Sequence, residues 1–401
     1  MLDVLDRRSL RSRAATFLAL ERNVVAVSAA MFLLALGENL WQKFLPKYLQ
    51  ALGAPIAAVG LFGSARDFLD GVYQYPGGWL GDRLGRRAAL FAFAVVAMIG
   101  YAIYATAPSW PWIIAGLLFV SAWSSMGSPT LFAVVGDALP KGQRAMGFTV
   151  QSILRRVPIV IAPTLGGLVI VRLGLVDGFR ALLLMTLVLS AVALIALARV
   201  RIERIAGPDT NIRGVWSSFP SSLRWLLVSD IFIRTCEGLV DVFLVIYATN
   251  VVGISAPRYG LLIAVQMTTA IAVYLPAAKI AGRIGRKPFV IATFLAFAFF
   301  PLAVVNAHGF GALVAAFVVG GLREIGEPSR KALIVDFAEP AIRARVVGLY
   351  YLIRSIAIAP AAFAGAMLWE RDPSNPFLTA FAIGLAGTLL FALTVREEHA
   401  G

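Results

Sequence analysis

Residues 76–87 read PGGWLGDRLGRR and residues 276–287 read PAAKIAGRIGRK, so the chain repeats one pattern 200 positions apart. Each copy closes a long apolar run with a short basic turn. Repetition of this kind in an apolar chain is typical of proteins built from two related bundles of membrane helices. The pair predicts a membrane protein with two similar halves.

The composition supports this prediction. Hydrophobic residues make up 59% and charged residues 14% of the 401 positions, which is more apolar than an ordinary soluble domain. Apolar stretches of about 20–25 residues recur, and each is long enough to cross a bilayer. We predict an all-α membrane protein with several transmembrane helices.

Turn-forming residues divide the apolar sequence into segments. Gly53-Ala54-Pro55 and Asp372-Pro373-Ser374 are examples of such breaks. They predict twelve transmembrane helices in two sets of six: 24–49, 56–79, 88–106, 112–136, 146–171 and 179–198, then 224–249, 257–281, 288–306, 310–335, 345–369 and 376–395.

The repeat extends beyond the basic turns and sets the domain organisation. Gly60 matches Gly260 at an offset of 200, while Asp137 matches Asp336 and Arg155 matches Arg354 at 199. Both copies run in the same sense, so the two halves share one topology. We predict an N-terminal bundle at 1–198, a cytoplasmic linker with an interfacial helix at 199–223, and a C-terminal bundle at 224–401.

The formal net charge of +14 has a topological explanation. Basic residues concentrate before helix 1, in alternate loops and in the mid-chain linker, whereas the loops at the opposite ends carry few. This positive-inside pattern predicts that both termini are cytoplasmic. It also argues against binding of nucleic acid, which would require a continuous basic surface.

Cysteine and histidine are too scarce for several kinds of site. Cys236 is the one cysteine, so no internal disulfide can form. His308 and His399 are the two histidines, so a zinc or copper site is not expected. The chain lacks a phosphate-binding GxxxxGK[ST] loop. We expect no metal, no cofactor and no enzymatic activity.

Charged residues inside the predicted helices point to a polar interior. A charged group at the bilayer centre costs about 3 kcal/mol or more unless it meets a partner or water. Asp230, Arg234, Glu237 and Asp241 follow one face of helix 7 at i, i+4, i+7 and i+11. The predicted helices contain eight acidic and eight basic groups at mid-depth, so their charges could cancel by pairing: Glu38, Arg66, Asp67, Asp70, Arg155, Arg156, Asp230, Arg234, Glu237, Asp241, Arg323, Glu324, Glu327, Arg330, Lys331 and Arg354.

The motif Gly78-x-Leu80-x-Asp82-Arg83-x-Gly85-Arg86-Arg87 resembles the loop between helices 2 and 3 of the major facilitator superfamily. The copy at 278–287 lies where that family repeats it, with Gly282 in place of the aspartate. The resemblance implies a central cavity lined by helices 1, 4, 7 and 10, with helices 2, 5, 8 and 11 contributing.

On this resemblance we predict three groups of functional residues. Proton-coupling candidates are Glu38, Asp70, Glu237 and Glu327. Substrate-binding candidates are Gln42, Trp123, Gln151, Arg155, Arg234, Asp241, Gln266, Arg323, Glu324, Tyr350 and Arg354. Candidate conformational latches are Asp82, Arg83, Arg86, Asp137 and Arg144. Many of these groups could instead form structural pairs or gates between the bundles.

A second motif bears on the direction of transport. Ala162-Pro163-Thr164-Leu165-Gly166-Gly167 on helix 5 resembles part of the antiporter motif of drug:proton exchangers in the same superfamily, with alanine replacing the first glycine. Trp123 stands where those exchangers usually carry an arginine. The alternative interpretation is a proline-kinked helix packed through small residues.

The sequence thus predicts a plasma-membrane secondary transporter that works as a monomer, with protons and a small solute as its partners. The favoured reaction is proton-coupled export of a polar, zwitterionic or anionic organic solute. The alternatives are a proton-coupled importer of an organic anion, a channel or lipid scramblase, and a divalent-metal exporter.

Overall fold

The computed structural model describes residues 22–127, 141–198, 216–337 and 343–395. Within these ranges every regular element is helical. The elements follow the predicted order, so we number the membrane helices α1 to α12 to match the twelve predictions.

The first half contains six of these helices. Helices α1, α3 and α6 lie within about four residues of their predicted bounds, and α5 begins five residues before its predicted start. Helix α2 runs five residues past its predicted end, up to Gly85, whose φ of +89° terminates it. The predicted end of α4 at residue 136 lies outside the described residues. The bounds are α1 at Arg22–Trp41, Gln42–Phe44 and Leu45–Ala51, α2 at Ile56–Leu84, α3 at Arg86–Thr106, α4 at Trp110–Ser121 and Ala122–Met126, α5 at Lys141–Leu173, and α6 at Leu175–Ala198.

The second half repeats the series after a short 3-10 helix at Trp216–Ser218, where Arg224 lies over the Trp216 ring. The bounds are α7 at Ser221–Val240, Asp241–Phe243, Leu244–Ile246 and Tyr247–Val251, α8 at Ala256–Ile284, α9 at Lys287–Val305, α10 at Phe310–Leu322 and Glu327–Asp336, α11 at Arg343–Ile358 and Ala361–Trp369, and α12 at Asn375–Thr394.

Six helical segments of the described chain are long and apolar enough to cross a membrane. Trp110–Met126 and Phe310–Leu322 are shorter apolar helices. The six spans are Arg86–Thr106, Arg156–Leu173, Leu175–Ala198, Lys287–Val305, Val346–Trp369 and Asn375–Thr394.

The helices pack as two bundles that meet along two seams. In the first bundle α1 packs on α5 and α6, and in the second α7 packs on α11 and α12. Between the bundles, α5 packs on α8 and α2 packs on α11. Polar groups on the facing sides of α2, α5, α8 and α11 therefore lie close to the opposite bundle.

Helices α1 and α7 are interrupted at equivalent positions, which the sequence analysis did not predict. A 3-10 turn begins after Trp41 in α1 and after Val240 in α7. The backbone angles agree closely, with φ −119° and ψ −28° at Trp41 against φ −119° and ψ −24° at Val240. The repeat in the sequence is therefore also a repeat of backbone irregularities.

Each break lies against a glycine of a neighbouring helix. A Cβ atom at Gly166 of α5 would lie 1.9 Å from the Leu40 carbonyl oxygen, just before the break in α1. A Cβ atom at Gly365 of α11 would lie 2.3 Å from the Leu239 carbonyl oxygen, just before the break in α7. Since no side chain fits at either contact, both positions need glycine.

Helices α10 and α11 were also predicted as continuous and are not. Residues 323–326 of α10 form turns instead of α-helix, and α11 is interrupted before Ala361. Pro360 explains the second break, because proline removes a helical hydrogen bond. The turns in α10 carry Arg323 and Glu324, so this break coincides with charged groups.

Candidate functional site

A cavity of about 100 Å³ lies between the bundles, next to the breaks in α1 and α7. Discontinuous helices at a bundle interface are a recurrent setting for solute sites in transporters. Its walls come from both bundles: Glu38, Trp41, Gln42, Lys43, Leu45, Pro46, Phe62, Arg66, Tyr104, Leu117, Val120, Ser121, Ser124, Asp241, Val242 and Tyr259.

Acidic and basic groups share the cavity wall. The Tyr101 hydroxyl donates a hydrogen bond of 2.6 Å to the buried Glu38 carboxylate. Arg66 of α2 donates to Asp241 of α7 at 3.0 Å and to Asp67 at 3.2 Å. The Arg66–Asp241 contact joins the two bundles across the cavity.

A larger ion-pair network fills the centre of the second bundle, with Asp230 at its base. This fully buried carboxylate uses a single oxygen, Oδ2, to accept three hydrogen bonds. The donors are Arg330 at 2.7 Å, the Tyr350 hydroxyl at 3.0 Å and Arg354 at 3.2 Å. Helices α7, α10 and α11 are tied together at this point.

The same network continues up α7 towards the cavity. Arg234 pairs with Glu327 at 2.6 Å and with Glu237 at 2.9 Å. Glu327 also pairs with Arg330 at 2.8 Å, and Glu237 also pairs with Arg323 at 3.3 Å. Each of the two glutamates therefore lies between two guanidinium groups, and adding a proton to either would weaken two contacts at once.

Aromatic rings of α9 support the arginines of this network. The Arg234 and Arg323 guanidinium groups each lie 4.9 Å from the centre of the Phe297 ring. Arg323 also lies 4.7 Å from the Phe300 ring. Such cation–π contacts hold guanidinium groups in place where water is scarce.

A second ion pair between the bundles lies at the break in α10. Arg156 of α5 donates to Glu324 at 2.9 Å. Because α5 and α10 belong to different bundles, this pair must separate if the bundles move apart there.

The bundles are in close contact at the end opposite to the basic turns. Lys47 of α1 donates to Asn250 of α7. A Cβ atom at Gly60 would lie 2.5 Å from the Ala366 Cβ, and one at Gly260 would lie 2.5 Å from the Pro163 carbonyl oxygen. Glycines therefore let α2 meet α11 and α8 meet α5 closely, and this end of the molecule is closed.

Comparison with known proteins identifies the family. The family model of the Major Facilitator Superfamily matches residues 27–235 and 226–401. The chain belongs to the major facilitator superfamily. It is accordingly a multi-pass membrane transporter and not an enzyme, and the predicted two-bundle fold is confirmed.

Relatives in this superfamily are distant. An uncharacterized MFS-type transporter of Methanocaldococcus jannaschii, MJ1317, is 21% identical over 385 residues, with 92% of this chain and 94% of the relative covered. A POT family transporter in complex with 5-aminolevulinic acid superposes with a TM-score of 0.77 at 14% identity, covering 93% and 96% of the two chains. The human organic anion transporter MFSD10 superposes with a TM-score of 0.66 at 18% identity, covering 92% of this chain and 99% of that chain. At these identities the structures support the shared fold and nothing finer.

Several candidate residues of this superfamily transporter lie at or near the cavity. Glu38, Gln42 and Asp241 line it. Asp70 is exposed on α2 and accepts a 2.8 Å hydrogen bond from Ser125. The structure places the rest of the described substrate-binding and proton-coupling candidates in the ion-pair network or in packed interiors.

Three of these candidates are almost wholly enclosed by protein. Tyr350 is fully buried and reaches Asp230. Trp123 is buried in the first bundle, in the π-helical turn that ends the described part of α4. Gln266 of α8 is buried beside Gly320 of α10.

Three of the five latch candidates, Asp82, Arg83 and Arg86, belong to the basic turn between α2 and α3. Arg83 lies over the Trp79 ring at 4.9 Å, and Arg86 is the first residue of α3. Residue 137 and the side chains of four other predicted residues lie outside the described part of the structure, so the roles predicted for these five residues remain predictions: Asp82, Asp137, Arg144, Gln151 and Arg155.

The structure adds residues that the sequence analysis did not assign to a site. Tyr101 is the hydrogen-bond donor to Glu38, and Arg66, Asp230 and Arg330 carry central contacts. The last three were recognised as charged groups in the membrane but were given no role. Tyr101 lies in a long apolar helix, where only its hydroxyl group distinguishes it from the surrounding packing residues.

Proposed function

We propose that this transporter moves a small polar, zwitterionic or anionic organic solute across the plasma membrane by alternating access, coupled to protons and in the direction of export. The observation that carries the proposal is the cavity wall, where Glu38 and the Arg66–Asp241 pair lie together. A solute and a proton would meet at the same few groups.

The polarity of the cavity supports the class of solute. Burying a charged group without a partner is costly, so an apolar solute that displaced water from Glu38, Lys43 or Arg66 would be penalised. A polar solute can supply hydrogen bonds in place of that water. The cavity wall therefore favours polar or charged organic molecules over apolar ones.

Proton coupling is proposed for Glu38, Asp70, Glu237 and Glu327. A carboxyl group removed from water takes up a proton more readily than one in water, and neighbouring arginines oppose this. Glu237 and Glu327 each pair with two arginines, so protonation of either carboxylate would weaken both of its ion pairs. This links protonation to movement of α7 and α10.

Two ion pairs between described residues of opposite bundles support alternating access. Arg66–Asp241 and Arg156–Glu324 connect α2 to α7 and α5 to α10. Rocking of one bundle on the other has to break them, and a bound solute or a proton can take the place of the lost partner.

The proposed direction rests on the α5 motif. Gly166 packs against the Leu40 carbonyl beside the break in α1, and a Cβ atom at Gly167 would lie 2.7 Å from backbone atoms of Ala256. The motif thus packs against both bundles near the closed end, as a seal that limits leakage during antiport would. The alternative is a symporter that imports an organic anion through Arg155, Arg323 and Arg354.

Transport in proteoliposomes tests the proposal. Purified protein is reconstituted, a pooled metabolite library is loaded on one side, and an inward or outward pH gradient is imposed. Antiport predicts that the solute moves towards the acidic side, against its own concentration gradient, while protons flow the other way. The initial rate of this transport should saturate with solute concentration. Solute accumulation in the same direction as proton flow would establish the symport alternative. Flux that neither saturates nor responds to pH would refute both and indicate a channel or scramblase.

A further inference from the structure

The cavity between the breaks of α1 and α7 contains two hydrogen-bond donors that have no protein partner. The indole N–H of Trp41 and the hydroxyl of Tyr104 are both buried and make no hydrogen bond in the described part of the chain. Trp41 is 2% exposed and Tyr104 fully buried, and both residues are among those that line the cavity. Their rings are neighbours, with centroids 5.7 Å apart.

Unpaired donors in such a place indicate a ligand. A buried donor without a partner costs about 1–3 kcal/mol, and natural proteins leave few of them. Two adjacent ones on a cavity wall therefore favour an acceptor group supplied from outside the chain. A carboxylate oxygen accepts strongly from neutral N–H and O–H groups.

The charged residues of the cavity come in both signs. Glu38 and Asp241 contribute two carboxylates, while Lys43 and Arg66 contribute two cations. A solute that is only anionic or only cationic would unbalance this wall. A solute that carries one charge of each sign leaves it balanced and can pair with both kinds of group.

The size of the cavity limits the size of the solute. Drug-sized ligands occupy pockets of about 300–1,000 Å³, and this cavity measures about 100 Å³. Phe62 and Tyr259 add aromatic side chains to the wall beside the charges, which suits a short carbon chain.

We propose that this cavity binds a small zwitterion of amino-acid size. The carboxylate of the solute accepts hydrogen bonds from Trp41 and Tyr104 and pairs with Lys43, while its ammonium group pairs with Glu38 or Asp241. The proposal rests on the transport function argued above and names the solute class for that same site.

Binding to the purified full-length protein tests the assignment. Calorimetry in detergent compares β-alanine, L-alanine and 4-aminobutyrate with propionate and propylamine, which carry only one of the two charges. We expect saturable binding of at least one zwitterion, and affinity at least about tenfold weaker for both singly charged compounds, as the loss of one charge-assisted contact predicts. Equal binding of propionate or propylamine, or no binding of any zwitterion, would overturn the assignment.

Two variants locate the site. Tyr104→Phe removes only the hydroxyl and is expected to weaken zwitterion binding about tenfold. Tyr247→Phe is the matched control, because its buried hydroxyl bonds the Val305 carbonyl oxygen and does not line the cavity. Lys43→Gln, at a half-buried position of the wall, is a second variant with the same expected loss if Tyr104→Phe does not fold. Unchanged affinity in Tyr104→Phe or Lys43→Gln would refute the assignment.

The result is separable from that of the transport experiment. Proton-coupled transport of another solute class, with no zwitterion bound, would remove this assignment and leave the proposed function in place. Zwitterion binding that depends on Tyr104, without any response of transport to pH, would support this assignment and refute the proposed proton coupling.

Discussion

At the scale of single residues, Asp230 shows how one carboxylate can hold three helices together. Its Oδ2 atom accepts from two arginines and a tyrosine, and no part of the side chain reaches solvent. Loss of this charge would leave the buried Arg330 and the half-buried Arg354 without their shared partner. Removing one partner of a buried pair typically costs about 3–5 kcal/mol, far more than a surface pair contributes.

We therefore expect Asp230→Asn to lower the free energy of unfolding by about 3–5 kcal/mol. The measurement is the thermal unfolding of the detergent-purified variant. Asp70→Asn is the matched control, since Asp70 is exposed and accepts a single bond from Ser125 that an amide oxygen can also accept. We expect that control to unfold at nearly the wild-type temperature. Equal losses in the two variants would contradict a structural role for Asp230.

A different outcome is expected at the basic turn, where Asp82 is proposed to act as a latch. Asp82→Asn should slow turnover several-fold while the solute concentration at half-saturation stays nearly constant, because the residue lies away from the cavity. Initial rates in proteoliposomes measure both quantities. Unchanged transport in this variant would refute the latch.

The sequence identified the charged residues of the membrane helices and the faces on which they lie, since spacing at i, i+4 and i+7 is visible without a structure. It could not identify their partners. Asp230 and Arg330 are 100 positions apart, and Arg66 and Asp241 are 175 positions apart, so each pair depends on how whole helices pack. The role of Tyr101 depends on tertiary packing in the same way.

At the scale of elements, the paired breaks in α1 and α7 are the least expected feature. Pro46 follows the break in α1 and cannot donate a helical hydrogen bond to the Gln42 carbonyl, but Val245 stands at the equivalent place in α7, so the two breaks share no local signal. The marker lies on neighbouring helices, where Gly166 and Gly365 are 199 positions apart, like the carbonyls of Leu40 and Leu239 that they contact. By contrast, helix order and most helix ends were predictable, because they follow from apolar runs and turn residues.

Alanine at either glycine should be destabilising. Gly166→Ala and Gly365→Ala each place a Cβ atom within 2.3 Å of a carbonyl oxygen, so a helix must shift. We expect each to cost about 1–3 kcal/mol, as overpacking of an interior usually does, and to reduce transport. Gly348→Ala in α11 is the control, because a Cβ atom there meets nothing within 4 Å. Thermal unfolding compares the three, and wild-type stability in Gly166→Ala and Gly365→Ala would show that these contacts are not close.

At the scale of the whole molecule, the described structure is closed at the end opposite to the basic turns. The closure combines the Lys47–Asn250 bond with close contacts at Gly60 and Gly260. A transporter that alternates between two states has to open these contacts in every cycle. A cross-link at this end should therefore stop transport without unfolding the protein.

The cross-link can be made at the residues that already touch. Lys47→Cys and Asn250→Cys are introduced in a Cys236→Ala background, which removes the one native cysteine. A short reversible thiol cross-linker is expected to abolish transport, and reduction is expected to restore it. The single variant Lys47→Cys, treated in the same way, is the control. Full transport by the cross-linked protein would contradict closure at this end.

The central claim is that solute and proton compete at the carboxylates between the two bundles. The most direct test records proton release or uptake by the detergent-purified transporter while pooled metabolites are added. The account predicts proton release on solute binding, lost or strongly reduced in Glu38→Gln or Glu237→Gln and retained in the Tyr247→Phe control. Solute binding with no proton change in the wild-type protein would contradict it and remove the proposed proton-coupling role of these glutamates.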